Sequence, residues 1–335
     1  MSTDSIHGRS SAAWYARRVL PAAIVSLVLS SPTLLPNQGT SLVTAAAASG
    51  RPRECMSTVR GGLSRKPTIW QLARTPELGR YCDLVARAKS QLATDPVAAA
   101  ASAKAADAAL PGRAAPRVLL ARAAFALGKV DDAARDFDAA RGIDARSVED
   151  PPTMHDLAQV LRKTGKLDEA LAVYRALVPR IDLLASADRR VSVLLEAAHV
   201  SMAVAGRTPS AAAGSRPSLH EALAYLREAR QRPPTALTND VLVSLALTLD
   251  RGGDRASADA VLADAHLTAP ELRTGSPSYL VAAEDKVCLD ALTAAPADAA
   301  KLWEAYLAGP GGKGPWASAA RARLDAAKKP GKAKP

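Results

Sequence analysis

The sequence predicts an all-α chain of about six helix-turn-helix hairpins with a C-terminal capping helix, and three observations carry that expectation. Alanine supplies 74 of the 335 residues while aromatic residues make up only 4%. Alanine is the strongest helix former and is depleted in strands. From Tyr81 onward, apolar residues recur three and four apart, and turn signals break the pattern about every 15 residues. One arrangement of small, glycine and large apolar positions then returns three times. A core of mostly small side chains suits a thin layer of closely packed helices better than one deep interior. With 23 prolines, 20 glycines and three cysteines, the composition excludes a collagen-like repeat and a disulfide-dense mini-scaffold, and argues against wholesale disorder.

The start of the chain reads as an export signal. Arg17 and Arg18 precede an apolar run over 19–30, and Thr44-Ala45-Ala46-Ala47-Ala48-Ser49 supplies small residues of the kind signal peptidase accepts. The run is shorter than the roughly 20 apolar residues of a membrane span. The expectation is therefore a signal peptide and linker over 1–48, cleaved near Ala45–Ala48, and a protein exported to the periplasm or cell envelope. The alternative is an anchor retained at residues 19–30, and membrane contact is expected only through this signal or anchor. Residues 49–78 follow as an irregular segment. Cys55 and Cys82 lie near the mature start and Cys288 near the end, so an odd thiol is left if two pair. Cys55 with Cys82 is the expected disulfide; three buried thiols are the alternative.

The repeated unit is read directly. Leu120, Ala121, Ala124, Gly128, Ala133, Phe137 and Ala140 recur in register as Leu157, Ala158, Leu161, Gly165, Ala170, Tyr174 and Leu177. They recur again as Leu245, Ala246, Leu249, Gly253, Ala258, Leu262 and Ala265. The small residues let paired helices approach closely. Glycine releases the first helix through the left-handed conformation, and the large apolar residue fills the gap between hairpins. Acidic pairs Asp131-Asp132 and Asp168-Glu169 fall in the first turn of second helices, where they complement the dipole.

This pattern resembles the tetratricopeptide repeat (TPR), a helix-turn-helix unit of about 34 residues. The family's tryptophan at the fourth position is replaced by Arg117, Met154 and Leu242. Weaker copies flank the three clean ones, and the stretch 301–324 is similar to closing repeats of bacterial envelope-assembly and cell-division coordinator proteins. The resemblance implies a right-handed superhelix over 79–327, with an insertion loop at 207–219 and a basic tail at 328–335. It also implies a concave face lined by first helices. In this register that face presents Val118, Arg122 and Phe125, then His155, Gln159, Arg162 and Lys163, and later Val243, Leu247 and Asp250. Family members that grip a C-terminal carboxylate place Lys and Asn at fixed points, and other residues stand at those points here.

Catalytic, cofactor and metal constellations are not found. The five histidines make no His-Glu-x-x-His pair, and Gly309-Pro310-Gly311-Gly312-Lys313-Gly314 lacks the Ser/Thr and the preceding strand of a phosphate loop. Cys288 reads as a core residue rather than a nucleophile. The +11 net charge includes +2 from the first fifty residues and +4 from the tail. No basic stripe with interleaved aromatics remains, which argues against nucleic acid. The expected function is a non-catalytic, TPR-type scaffold or adaptor in the cell envelope. It would bind a peptide or protein partner in the groove around Arg122, Phe125, His155, Gln159 and Arg162. The alternatives are an accessory subunit that positions a cell-wall enzyme, or a cytosolic regulator if the start is not a signal.

Overall fold

The computed structural model describes residues 52–59, 62–64, 68–207, 217–268 and 277–329. The signal and anchor readings over 1–48, most of the loop at 207–219 and the end of the basic tail lie outside the described residues.

The segment before the repeats is more ordered than its sequence suggests. A 3-10 turn at Arg53–Cys55 leads into strands β1 (Ser57–Val59) and β2 (Gly62–Ser64), which pair antiparallel with Thr58 opposite Leu63. Helix α1 (Ile69–Arg74) follows. Thr68 and Gln71 close a reciprocal capping box on it: Gln71 N donates to Thr68 Oγ1 at 3.2 Å and Thr68 N donates to Gln71 Oε1 at 2.8 Å. A disulfide joins Cys55 to Cys82, 27 residues apart in sequence, and ties this segment to the first repeat helix.

Six hairpins and a cap follow. They are α2 (Leu78–Gln91) with α3 (Pro96–Ala109), α4 (Ala114–Ala126) with α5 (Val130–Ile143), and α6 (Pro151–Lys163) with α7 (Leu167–Leu177). Then come α8 (Ala187–Arg207) with α9 (Pro217–Gln231), α10 (Thr238–Arg251) with α11 (Arg255–Thr268), and α12 (Asp285–Thr293) with α13 (Pro296–Ala308). Helix α14 (Ala317–Lys328) closes the stack and takes in Lys328, the residue at which the sequence suggested a tail. Apart from the β1–β2 pair, the regular structure among the described residues is helical, an all-α repeat solenoid.

Local chemistry sets the helix ends. Asp95 accepts from Ala98 N at 2.9 Å and Pro96 takes the first helical position of α3. Gly128 and Gly165 adopt φ of 76° each. Lys129 N donates back to Ala124 O at 2.9 Å, and Lys166 N repeats the bond to Leu161 O at 2.9 Å. This six-to-one closure satisfies a terminal carbonyl and needs the left-handed backbone that glycine takes without strain.

The core is assembled from the repeat positions. Ala121, Ala133, Ala140, Ala158, Ala170, Ala246 and Ala258 are fully buried where helices meet. Phe137 and Tyr174 are fully buried and Trp303 nearly so, each filling space that alanines leave. Such aromatics contribute much of the apolar area buried in an alanine-rich stack. The N-terminal segment builds a smaller cluster of its own, around Cys55, Leu78, Tyr81 and Val85.

Candidate functional site

The residues expected to line a groove come from α4, α6 and α10, and the structure joins most of them to neighbouring helices. Arg122 Nε on α4 donates to Asp156 Oδ2 on α6 at 2.7 Å. Arg189 at the start of α8 reaches Asp156 Oδ1 at 3.3 Å and His155 Nδ1 at 3.4 Å. His155 and Gln159 stand one turn apart on α6, and both meet Glu196 of α8. His155 Nε2 lies 3.0 Å from Glu196 Oε2, and Gln159 Nε2 donates to Oε1 at 2.9 Å. Tyr174 Oη and Ser192 Oγ donate to the same carboxylate at 2.8 and 3.0 Å.

Glu196 is only 2% exposed. Burial opposes its ionisation, but the hydrogen bond and charge of His155, the Arg162 guanidinium and Tyr174 outweigh that and lower its pKa to about 2. Burial, with the Glu196 charge beside it, raises the Tyr174 phenol well above its ordinary range.

The same row continues toward the C-terminus. His199 Nε2 meets Ser244 Oγ at 3.0 Å, and burial lowers the imidazole pKa to about 3. Thr248 Oγ1 lies 3.1 Å from Met202 Sδ. Arg251 forks onto Asp285, with Nη1 3.2 Å from Oδ2, and its guanidinium lies 5.0 Å from the Trp316 ring centroid. Arg323 Nε of the cap donates to Asp250 Oδ1 at 2.7 Å. Polar pairs therefore run hairpin to hairpin from Arg122 to Asp285, and α14 is pinned over α10.

This seam corrects the open groove expected at these positions. His155 is 3% exposed and Arg162 8%. Val243, Leu247 and Asp250 are buried as well. Side chains aimed at the next hairpin find polar partners there, so they are enclosed rather than presented. Arg122, Phe125 and Gln159 are half-buried. Lys163 is exposed, with Nζ 5.4 Å from the Phe125 ring centroid. The linking residues Asp156, Arg189 and Glu196 escaped sequence reasoning. Their one visible sign was a lone carboxylate inside the apolar run Val193–Ala198.

The open concavity lies one hairpin earlier. A cleft of about 430 Å³ is walled by α2, α4, the 145–148 turn, the start of α6 and the tethered segment at Pro52–Glu54. Val85, Val118 and Leu119 supply apolar lining, and Arg53, Lys89, Arg113, Arg122 and Arg146 supply cations. Four carboxylates also line it, Glu54, Asp144, Glu149 and Asp150, and three of them are engaged locally. Glu54 accepts from Tyr81 Oη at 2.7 Å, Asp144 from Arg146 N at 2.9 Å, and Asp150 from Thr153 Oγ1 at 3.2 Å. The side chains of Arg53, Arg113 and Arg146 are exposed and make no ion pair among the described residues. Of the sequence-predicted groove, Val118 and Arg122 reach this cleft.

The described residues include no group of three or more His, Cys, Asp or Glu placed to hold a metal ion. Cys288 is buried, and burial pushes its thiol up to about 12, which suppresses the thiolate.

Three hairpins closed by the same glycine bond, with alanines buried where their helices meet, give the chain a tetratricopeptide-like helical-repeat fold. No family model matches it, and no curated protein matches it. Solved structures similar to it include kinesin light chain TPR-like repeats of Podosopora anserina, at 18% identity, over 66% of this chain and 99% of that one, with a TM-score of 0.37. A variant of those repeats covers 56% of this chain and 93% of its own, at 18% identity and a TM-score of 0.40. The TPR domain of P58(IPK) is similar over 79% of this chain and 72% of that one, at 13% identity and a TM-score of 0.29.

Proposed function

We propose that this chain is a non-catalytic interaction scaffold of the bacterial cell envelope, and that its partner engages the N-terminal cleft rather than the middle of the inner face. The observation that carries the reading is the contrast between the two. In the middle, polar groups such as Glu196, His155 and Asp156 are spent on one another. In the cleft, Arg53, Arg113 and Arg146 turn unpaired donors outward beside Val118 and Leu119. An extended peptide bearing carboxylates suits such a surface, because exposed guanidinium groups bind carboxylates bidentately and apolar neighbours exclude water. The export signal read at residues 1–48 supports the envelope part of this reading, and N-terminal sequencing of the protein from cells, with a start near Ala46, is the check on it.

The binding test is charge reversal. Arg113→Glu with Arg146→Glu is expected to lower recovery of the crosslinked partner about tenfold, the equivalent of about 1.4 kcal/mol, with unchanged circular dichroism. Undiminished recovery contradicts the cleft assignment.

A further inference from the structure

Helix α1 presents its apolar residues on the side where a soluble helix keeps polar ones. At 100° per residue, Ile69, Ala73, Trp70 and Arg74 form one continuous arc, with Gln71 and Leu72 opposite. Leu72 packs on the N-terminal cluster and Gln71 is used in the capping box. Ile69 and Trp70 are 77% and 75% exposed, the highest values among the described large hydrophobic side chains. The capping box and the Leu72 contact hold both side chains outward.

The charge is concentrated in the same stretch of sequence. Residues 51–80 carry seven Lys/Arg and two Asp/Glu, a net +5, whereas residues 81–327 carry thirty of each and are neutral. Of the two acids, Glu54 is engaged by Tyr81 Oη. Arg74 and Arg80 are exposed and make no ion pair among the described residues. Arg74 stands one turn from Trp70 on the same arc.

We propose that this arc is a docking surface for an anionic phospholipid bilayer, with Trp70 and Ile69 entering the headgroup region and the surrounding arginines resting on lipid phosphate. Tryptophan favours that interface because its ring is apolar and its N–H polar. Basic residues near an anionic leaflet each add attraction. An apolar pair alone binds reversibly at best, so the two signals act together. A second copy of the chain is disfavoured as occupant, because two segments of net +5 repel. The arc also stands apart from the cleft, none of whose lining residues comes from α1.

The test uses the full chain carrying Trp14→Phe, so that Trp70 is the accessible reporter beside the buried Trp303 and Trp316. Residues 19–30 are themselves apolar, so the readout is contact at Trp70 rather than co-sedimentation. Vesicles of brominated phosphatidylcholine mixed with phosphatidylglycerol are compared with vesicles of the brominated phosphatidylcholine alone. The expected result is strong quenching on the anionic vesicles only. That quenched component should vanish with Trp70→Phe. It should fall several-fold in an Arg74→Glu, Arg80→Glu variant of unchanged circular dichroism. No quenching on either vesicle, or equal quenching on both, overturns the proposal. So does a soluble polyphosphate that shields Trp70 from acrylamide while the bromolipid leaves it untouched, since the occupant is then a polyanion and not a bilayer.

Discussion

His199 shows how one buried side chain couples folding to pH. Burial holds it neutral with a pKa near 3, against about 6.5 in an unfolded chain. As pH falls, the unfolded state takes up the proton first, so the contribution is fully present above about pH 6.5 and is lost as pH drops toward 3. Stability from urea denaturation should therefore decline across that window, by up to about 1.4 kcal/mol per pH unit from this group. His199→Gln should flatten the decline. Glu196 acts lower: its depressed pKa stabilises the fold above about pH 4.5 and the gain is lost toward pH 2. Glu196→Ala strands His155, Gln159 and Tyr174 without their acceptor and removes the negative charge near the buried Arg162 guanidinium. It should cost about 3–5 kcal/mol in denaturant titration at neutral pH. At this scale the sequence was half legible. His155 and Gln159 announce a shared helix face by their spacing of four. Their acceptor lies 41 residues from His155, and no local pattern encodes that distance.

At the level of elements, the hairpins were legible because their determinants are local. Gly128, Gly165 and Gly253 mark helix ends by themselves, and each has positive φ in the fold. The short pieces before the repeats were not. Strands of three residues and a helix of six carry too little periodicity to register. Their order comes from tertiary restraint, chiefly Leu72 packing and the Cys55–Cys82 bond. Closing a loop of that sequence separation is worth about 3.5 kcal/mol in the chain-entropy model. The double substitution Cys55→Ser, Cys82→Ser should therefore loosen the segment that walls the cleft and leave α6 to α11 intact. Amide hydrogen exchange checks this, with faster exchange expected across Arg53–Cys55 and the 78–91 helix and unchanged protection around Leu194 and Leu247.

The whole molecule is a row of hairpins in which each contacts its neighbours, so its inner face depends on pitch. Pitch is a long-range property. The repeat register placed Arg122, His155, Gln159 and Arg162 along a groove, and the structure instead pairs Arg122, His155 and Gln159 with the next hairpin. Whether such a groove is open depends on how closely first helices approach, and here they approach until Arg122–Asp156, His155–Glu196 and Arg251–Asp285 close between them. The alanine-rich crossings that made the repeats recognisable permit this closeness. At the N-terminal end the disulfide-bound segment at Pro52–Glu54 instead walls an open cleft together with α2 and α4. The net charge divides along the same line, with +5 on residues 51–80 and none on 81–327. In the function proposed above, recognition is therefore concentrated at the N-terminal end, and the rest of the solenoid holds that end in shape.

That division is tested most directly by photo-crosslinking in cells from two single positions of the full chain, a photoreactive side chain replacing Arg146 in the cleft or Gln159 on the seam. Protein adducts from position 146, with position 159 silent, are the predicted result. Adducts from position 159 with none from 146 would contradict it, since the partner would then lie along the middle of the inner face.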